Sequence, residues 1–269
     1  MRRHSFSIRA LLRGAVVLLL AAGAGNTAQA ATRSQLALDP LTVSLREQQS
    51  PSLFAEPLPL ALDASREGEW RLRGDTLEWR HEIAVDGAVS LALEIAALDL
   101  PAGASLSIGA QHWQGPLQRH GLFTQHQPGR VLSLVARLPR GQSQAFALQL
   151  AEVQAGFREP SASAASFVAK AASACTVNAA CSTDAALQQW AGAVVAITIG
   201  NSATCTGTLM NNSSGDGRPY LLTARHCYTT TGGTDPVRAA ASLRMAWNAV
   251  TPCGTPLASA WGIGTPVTE

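Results

Sequence analysis

Two neighbouring stretches decide how this 269-residue chain is read: C-T-G-T-L-M-N-N at Cys205–Asn212 and Y-L-L-T-A-R-H-C at Tyr220–Cys227. Each is a short apolar run of strand character, and the turn-forming segment N-N-S-S-G-D-G-R-P at 211–219 separates them. A bridge between Cys205 and Cys227 would tie the start of the first strand to the end of the second. His226 stands beside that bridge. An imidazole held by a neighbouring crosslink suits general-base work, because such catalysis needs fixed geometry as well as a matched pKa. A surface or structural histidine is the ordinary alternative for a lone residue of this type.

Working outward, Gly192–Ile199 (G-A-V-V-A-I-T-I) and Leu243–Trp247 predict two further strands. The five cysteines, Cys175, Cys181, Cys205, Cys227 and Cys253, all fall in this last third. In an exported chain they read as a disulfide framework, with one left over by parity. A zinc site is the competing idea, but there is no C-x-x-C pair, and His226 is the one histidine nearby.

The N-terminus points to export. Arg2, Arg3, Arg9 and Arg13 precede the apolar run Ala15–Ala22, and Ala28-Gln29-Ala30 supplies a small-x-small cleavage site. Residues 1–30 are therefore expected to be a signal peptide cut between Ala30 and Ala31. The apolar run is too short to span a membrane core about 30 Å thick. Residues 31 to about 60 form a polar, Pro-dotted lead-in without a sustained period. From Trp70 to Leu150, short alternating runs such as V-L-S-L-V at Val131–Val135 and A-F-A-L-Q-L at Ala145–Leu150 are punctuated by Gly and Pro, which predicts a β-sandwich. Leu91–Leu98 suits a strand or a helix equally. Residues 158–174 are rich in Ser and Ala, the composition of a protease-accessible linker.

Composition narrows the function. The net charge is +2 and the arginines are scattered, so neither a nucleic-acid footprint nor a polybasic membrane patch is expected. His112, His120 and His126 lack metal-ligand spacing and are expected at the surface. Trp70, Trp79 and Trp113 are expected to pack within the sandwich rather than line a sugar-binding face. No metal and no other cofactor is implied.

C-x-G-x-L followed by an apolar strand ending in T-A-x-H-C resembles the histidine signature of trypsin-like, chymotrypsin-fold serine proteases, and its wording is similar to the bacterial lysyl endopeptidases. Trp247-Asn248 ahead of Cys253, and the close pair Cys175 and Cys181, add to the likeness, which covers about residues 171–256. More loosely, Trp70–Leu150 resembles the β-sandwich propeptide of those precursors, including L-P-A-G-A-S-L at Leu100–Leu106 and Gly115-Pro116.

The resemblance implies an all-β chain: a jelly-roll-like sandwich propeptide over residues 31–157, a linker and processing site over 158–174, and the first barrel of a double-barrel protease over 175–269. It implies His226 as the general base, bridges Cys205–Cys227 and Cys181–Cys253, and a partner for Cys175 in a second barrel. Such bridges are worth roughly 3 kcal/mol each on the chain-entropy model. The triad also needs an aspartate well downstream and a serine in a glycine-rich turn. Asp235 follows His226 too closely and sits in a turn, and Ser242 and Ser259 lack glycine context, so none is assigned. The acid, the nucleophile and the specificity pocket are expected outside this sequence, which leaves the chain inactive alone.

Nineteen of the 20 basic residues are arginine, and the one lysine, Lys170, lies in the linker. A lysine-specific protease that processes itself would cut there and leave Ala171 as the new N-terminus, although chance also places lysines in linkers. The expectation is thus a secreted or periplasmic endopeptidase precursor acting on polypeptides, with a propeptide that contacts the protease domain. The alternatives are a catalytically dead protease fragment and a β-sandwich binding module.

Overall fold

The computed structural model describes residues 32–50, 52–158, 179–229, 236–247 and 253. The signal peptide, the linker residues Lys170 and Ala171, and Cys175, Asp235 and Ser259 lie outside the described residues.

The first unit is a two-sheet sandwich. One sheet runs in the order β1 (Arg33–Ala37), β4 (Thr76–Asp86), β10 (Val131–Pro139), β6 (Ser105–Ile108) and β7 (Gln111–Gln114), with β3 (Glu69–Arg73) also paired to β4. The other runs β2 (Ala55–Asp63), β11 (Ala147–Gly156), β5 (Ser90–Leu100) and β8 (Leu117–Phe123), with the short β9 (Gln127–Pro128) on β5. Period-two patterning builds the core. In β10, Leu132, Leu134, Ala136 and Leu138 are buried, while Ser133 and Arg137 face out. Ile83, Leu106 and Leu134 from the first sheet meet Leu93, Leu148 and Val153 from the second in one cluster.

Trp79 sits in that cluster with 0 % of its surface exposed, and its indole N–H donates to the Glu67 carbonyl at 2.8 Å. Gly68, at φ +96°, leaves the space: a Cβ there would stand 2.1 Å from the Trp79 indole nitrogen. Trp70 packs edge-on against Phe146, and Trp113 lies against the same core. The three tryptophans therefore pack on the core, as expected. On the outer face of β4, Glu78 is only 3 % exposed because Arg73, Arg80 and Arg137 lie over it. The Arg80 hydrogen bond holds its carboxyl below the usual range.

One sequence reading needs correction and one ambiguity is resolved. The expected lead-in is structured: β1, a helix α1 (Pro40–Gln49) and β2 all fall within residues 33–63. Asp39 caps the helix by accepting from the backbone N–H of Leu41 and Thr42, and Pro40 supplies the preset φ of a first helical residue. Prolines in β2 masked it, because Pro57 and Pro59 suit an edge strand paired on one side, which β2 is. The ambiguous run Leu91–Leu98 is strand, because β11 and β8 pair with it on both sides.

The second unit holds α2 (Ala185–Ala191), β12 (Val194–Ile199), β13 (Ala203–Met210), β14 (Tyr220–Thr223), α3 (Arg225–Thr229), α4 (Pro236–Ala241) and β15 (Arg244–Trp247). Its strands form a four-stranded antiparallel sheet in the order β14-β13-β12-β15. The expected barrel is thus an open sheet among the described residues, since β14 and β15 end it on opposite sides and do not pair with each other. Val195, Ile197, Ile199 and Cys227 form a small core of its own. Leu209, Met210, Tyr220 and Leu222, at the β13–β14 side, stand exposed. Among the described residues no helix is long and apolar enough to cross a membrane.

Truncating a wholly buried tryptophan loses its transfer free energy and leaves a cavity, so Trp79→Ala should cost about 3–5 kcal/mol in urea unfolding of the full chain. A loss below about 1 kcal/mol would place the indole outside the core.

Candidate active site

His226 is carried by α3, which begins two residues after β14 ends. The local sequence explains how it is held. Gly207 lies diagonally across the β13–β14 pair from Leu221, and a Cβ at Gly207 would stand 2.9 Å from Leu221 Cδ1. Glycine there lets the two strands meet without displacing a core leucine. Thr223, opposite Gly207, donates its hydroxyl to the Thr206 carbonyl at 2.6 Å and fastens the end of β14. The Cys205–Cys227 disulfide then pins α3 back onto β13, its partners 22 positions apart in sequence.

The Nε2 atom of His226 lies 3.9 Å from Cys205 Sγ, and the residue is exposed on the outer side of this bridge. Cys227 is buried beneath it, with its sulfur 3.4 Å from Thr223 Oγ1. The second bridge, Cys181–Cys253, has Cα atoms 4.9 Å apart and ties the start of the unit to residue 253. Donor atoms of Cys205, His226 and Cys227 lie within 4.8 Å of one another. Both sulfurs are spent in the disulfide, so the trio offers a single imidazole and no thiolate to a metal.

The arrangement is an accessible imidazole on a covalently anchored platform, which suits proton transfer to or from a molecule arriving from solvent. Residues 169–260 match the family model described as the lysyl endopeptidase C-terminal domain, and the segment contains the whole of this platform. This segment is related to the lysyl endopeptidases. The match covers about a third of the chain, all of it after the sandwich. No solved structure matches the chain.

Ser242 has a structural part, consistent with its exclusion from catalysis. It is buried, accepts from the Gly200 backbone N–H at 2.8 Å and donates to the Ala239 carbonyl at 2.7 Å.

His112 and His120 are exposed as expected, whereas His126 is only partly exposed. Its ring packs edge-on against Phe54 at 5.2 Å, and its Nε2–H donates to the Asn201 carbonyl at 2.8 Å. A carbonyl only accepts, so Nε2 carries the proton and Nδ1 accepts from Ser90 Oγ at 3.0 Å. This contact joins the sandwich to the second unit. Sequence reasoning missed it because a single histidine reveals nothing of a partner some 75 residues away. The one available signal was Gly200-Asn201 between two apolar runs, a hairpin turn pair.

Burial pushes the pKa of His126 down to about 4, outweighing the Asn201 carbonyl. Between that value and the ordinary 6.5, the unfolded chain binds a proton here that the folded chain does not. Stability is therefore lost as pH falls from about 6.5 to about 4, by at most about 3 kcal/mol given the ring's partial exposure. Urea unfolding at pH 7 and pH 4 should show this loss in the native chain and a smaller one in His126→Gln. Identical pH dependence in the two proteins would mean that the ring is not enclosed as described.

Proposed function

We propose that the chain belongs to a secreted serine endopeptidase precursor that cuts after lysine. In this reading residues 1–30 direct export, 31–157 form a propeptide, 158–174 hold the processing site, and the protease domain starts at 175. The single observation that carries it is the position of His226, exposed beside the Cys205–Cys227 bridge inside the segment related to the lysyl endopeptidases.

His226 acts as general base. Its imidazole takes the proton from a serine hydroxyl as that oxygen bonds to the peptide carbonyl, then gives the proton to the leaving amine as the C–N bond breaks. An aspartate orients the imidazolium and stabilises it. No residue of this sequence is assigned to either role. The disulfides support export, because such bridges persist in oxidising compartments. Lysine specificity is supported by Lys170, the chain's one lysine, standing ahead of the matched domain in a Ser- and Ala-rich stretch. Cutting its own chain after Lys170 would free Ala171 and leave the other basic residues of this sequence, all arginines, untouched.

The complete enzyme should hydrolyse lysyl peptide amides far faster than arginyl ones. His226→Ala should lower kcat/KM by roughly ten-thousand-fold or more. In Lys170→Gln, processing to an N-terminus at Ala171 should stop. Full activity in His226→Ala would remove the general-base role. Equal cleavage after arginine would remove the lysine specificity, and mass spectra showing unaltered processing of Lys170→Gln would remove the self-cleavage site.

A further inference from the structure

The strand β5 is buried on both of its faces from Ser90 to Ile95, and its outer face opens at Ala96. A sandwich strand normally buries one face and wets the other. Leu91, Leu93 and Ile95 face the sandwich core, so something else covers Ser90, Ala92 and Glu94. The cover is the second unit, and it is held in three different ways.

The first is main-chain pairing. Leu53 forms an antiparallel bridge with Ala203, the Thr204 N–H donates to the Ser52 carbonyl at 2.9 Å, and the Phe54 N–H donates to the Ser202 carbonyl at 2.9 Å. The chain ahead of β2 thus adds a short strand to the start of β13.

The second is a turn. Gly200 and Asn201, with φ of +62° and +50°, close the β12–β13 hairpin in the primed conformation that glycine and asparagine accept. Asn201 is 2 % exposed, donates from Nδ2 to the Thr124 carbonyl at 2.7 Å, and accepts from His126. Its side-chain N–H and its main-chain carbonyl are therefore both bonded to the sandwich.

The third is charge. Arg238 on α4 donates to both oxygens of Glu94, and its Nη2 reaches Glu152 Oε2 at 2.7 Å. Glu94 is largely buried, so this is a bidentate pair with much of the water excluded.

These contacts use residues 52–55, 94, 124, 126 and 152 on one side and 201–204 and 238 on the other. None draws on the chain between Arg158 and Ala179, and neither disulfide crosses from one unit to the other. Arg158 itself is fastened to the carbonyls of Ser50 and Leu53 at the sandwich end. We propose that the outer face of the β5–β11 sheet is a docking surface for the β12–β13 turn and α4 of the same chain, and that it keeps the two units together as a non-covalent complex once the segment between them is cut. The proposal rests on the precursor reading only for the claim that such a cut occurs. Processing alone then does not release the sandwich. Separation needs the Glu94–Arg238–Glu152 cluster and the Asn201 turn to be undone.

The test uses the full chain with a recognition site for a viral site-specific protease placed within residues 160–170, so the cut does not depend on the chain's own activity. After cutting, the two pieces should co-elute in size exclusion at neutral pH and micromolar concentration. Arg238→Ala leaves Glu94 covered without its cation and should weaken the complex at least tenfold, with pieces separating on dilution. Uncut Arg238→Ala is checked for an unchanged circular dichroism spectrum, and the charge exchange Arg238→Glu with Glu94→Arg should restore co-elution. Separation of the native pieces at micromolar concentration overturns the proposal. So does co-elution that is indifferent to Arg238→Ala, which would place the contact elsewhere. Co-elution is read without any peptidase activity of the chain, so full activity of His226→Ala in the complete enzyme would sink the protease reading and leave the docking surface standing.

Discussion

The Cys205–Cys227 disulfide is the constraint on which the site depends. The helix that bears His226 has five residues, too few to hold a helical conformation by its own hydrogen bonds in water. It follows β14, whose four residues end the sheet with one side unpaired. Neither element would fix an imidazole in space. The bridge does so by tying α3 to β13, a strand paired on both sides and therefore the rigid part of the sheet. The Thr223–Thr206 hydrogen bond and the close approach at Gly207 align β14 so that the bridge can form without moving the strands. Proton transfer falls off steeply with misplacement of the donor or acceptor, so an exposed histidine needs this kind of anchoring before it is useful.

The same strand links the site to the sandwich. Thr204, which pairs with Ser52, is adjacent in sequence to Cys205, which anchors His226. Strand alternation sends the two side chains to opposite faces, so docking and chemistry share one strand without competing for space. Ordering the start of β13 on the sandwich limits the freedom of the bridge and of the histidine beside it. A small core made of Val195, Ile197, Ile199 and Cys227 offers the second unit little cohesion of its own, which gives the sandwich contact a structural purpose as well as a topological one.

Much of this was legible in the amino-acid sequence. Apolar runs with Gly and Pro punctuation gave most of the sandwich strands, and the first half of the Tyr220–Cys227 stretch is the strand that its apolar residues suggest. His226 and its neighbouring cysteines stood out because a histidine between T-A-R and a cysteine has local context. The β1–α1–β2 segment was missed because its signals are local caps and edge prolines rather than a sustained period. The open sheet was not expected because strand counting says nothing about closure. His126, Asn201, Glu94 and Arg238 were invisible for a deeper reason. Their importance comes from partners that lie 75 to 144 residues away in the chain, and no window along one sequence contains such a pair.

The central claim is that His226 is the base of a lysine-directed active site, and affinity labelling tests it most directly. A tosyl-lysyl chloromethyl ketone would seat its side chain in the specificity pocket of the complete, processed enzyme and present its carbon electrophile to the imidazole. The account predicts inactivation with one equivalent bound and a peptide adduct, located by mass spectrometry, on the nitrogen of His226. Inactivation with the adduct on another residue, or no reaction while lysyl substrates are still cleaved, would contradict it.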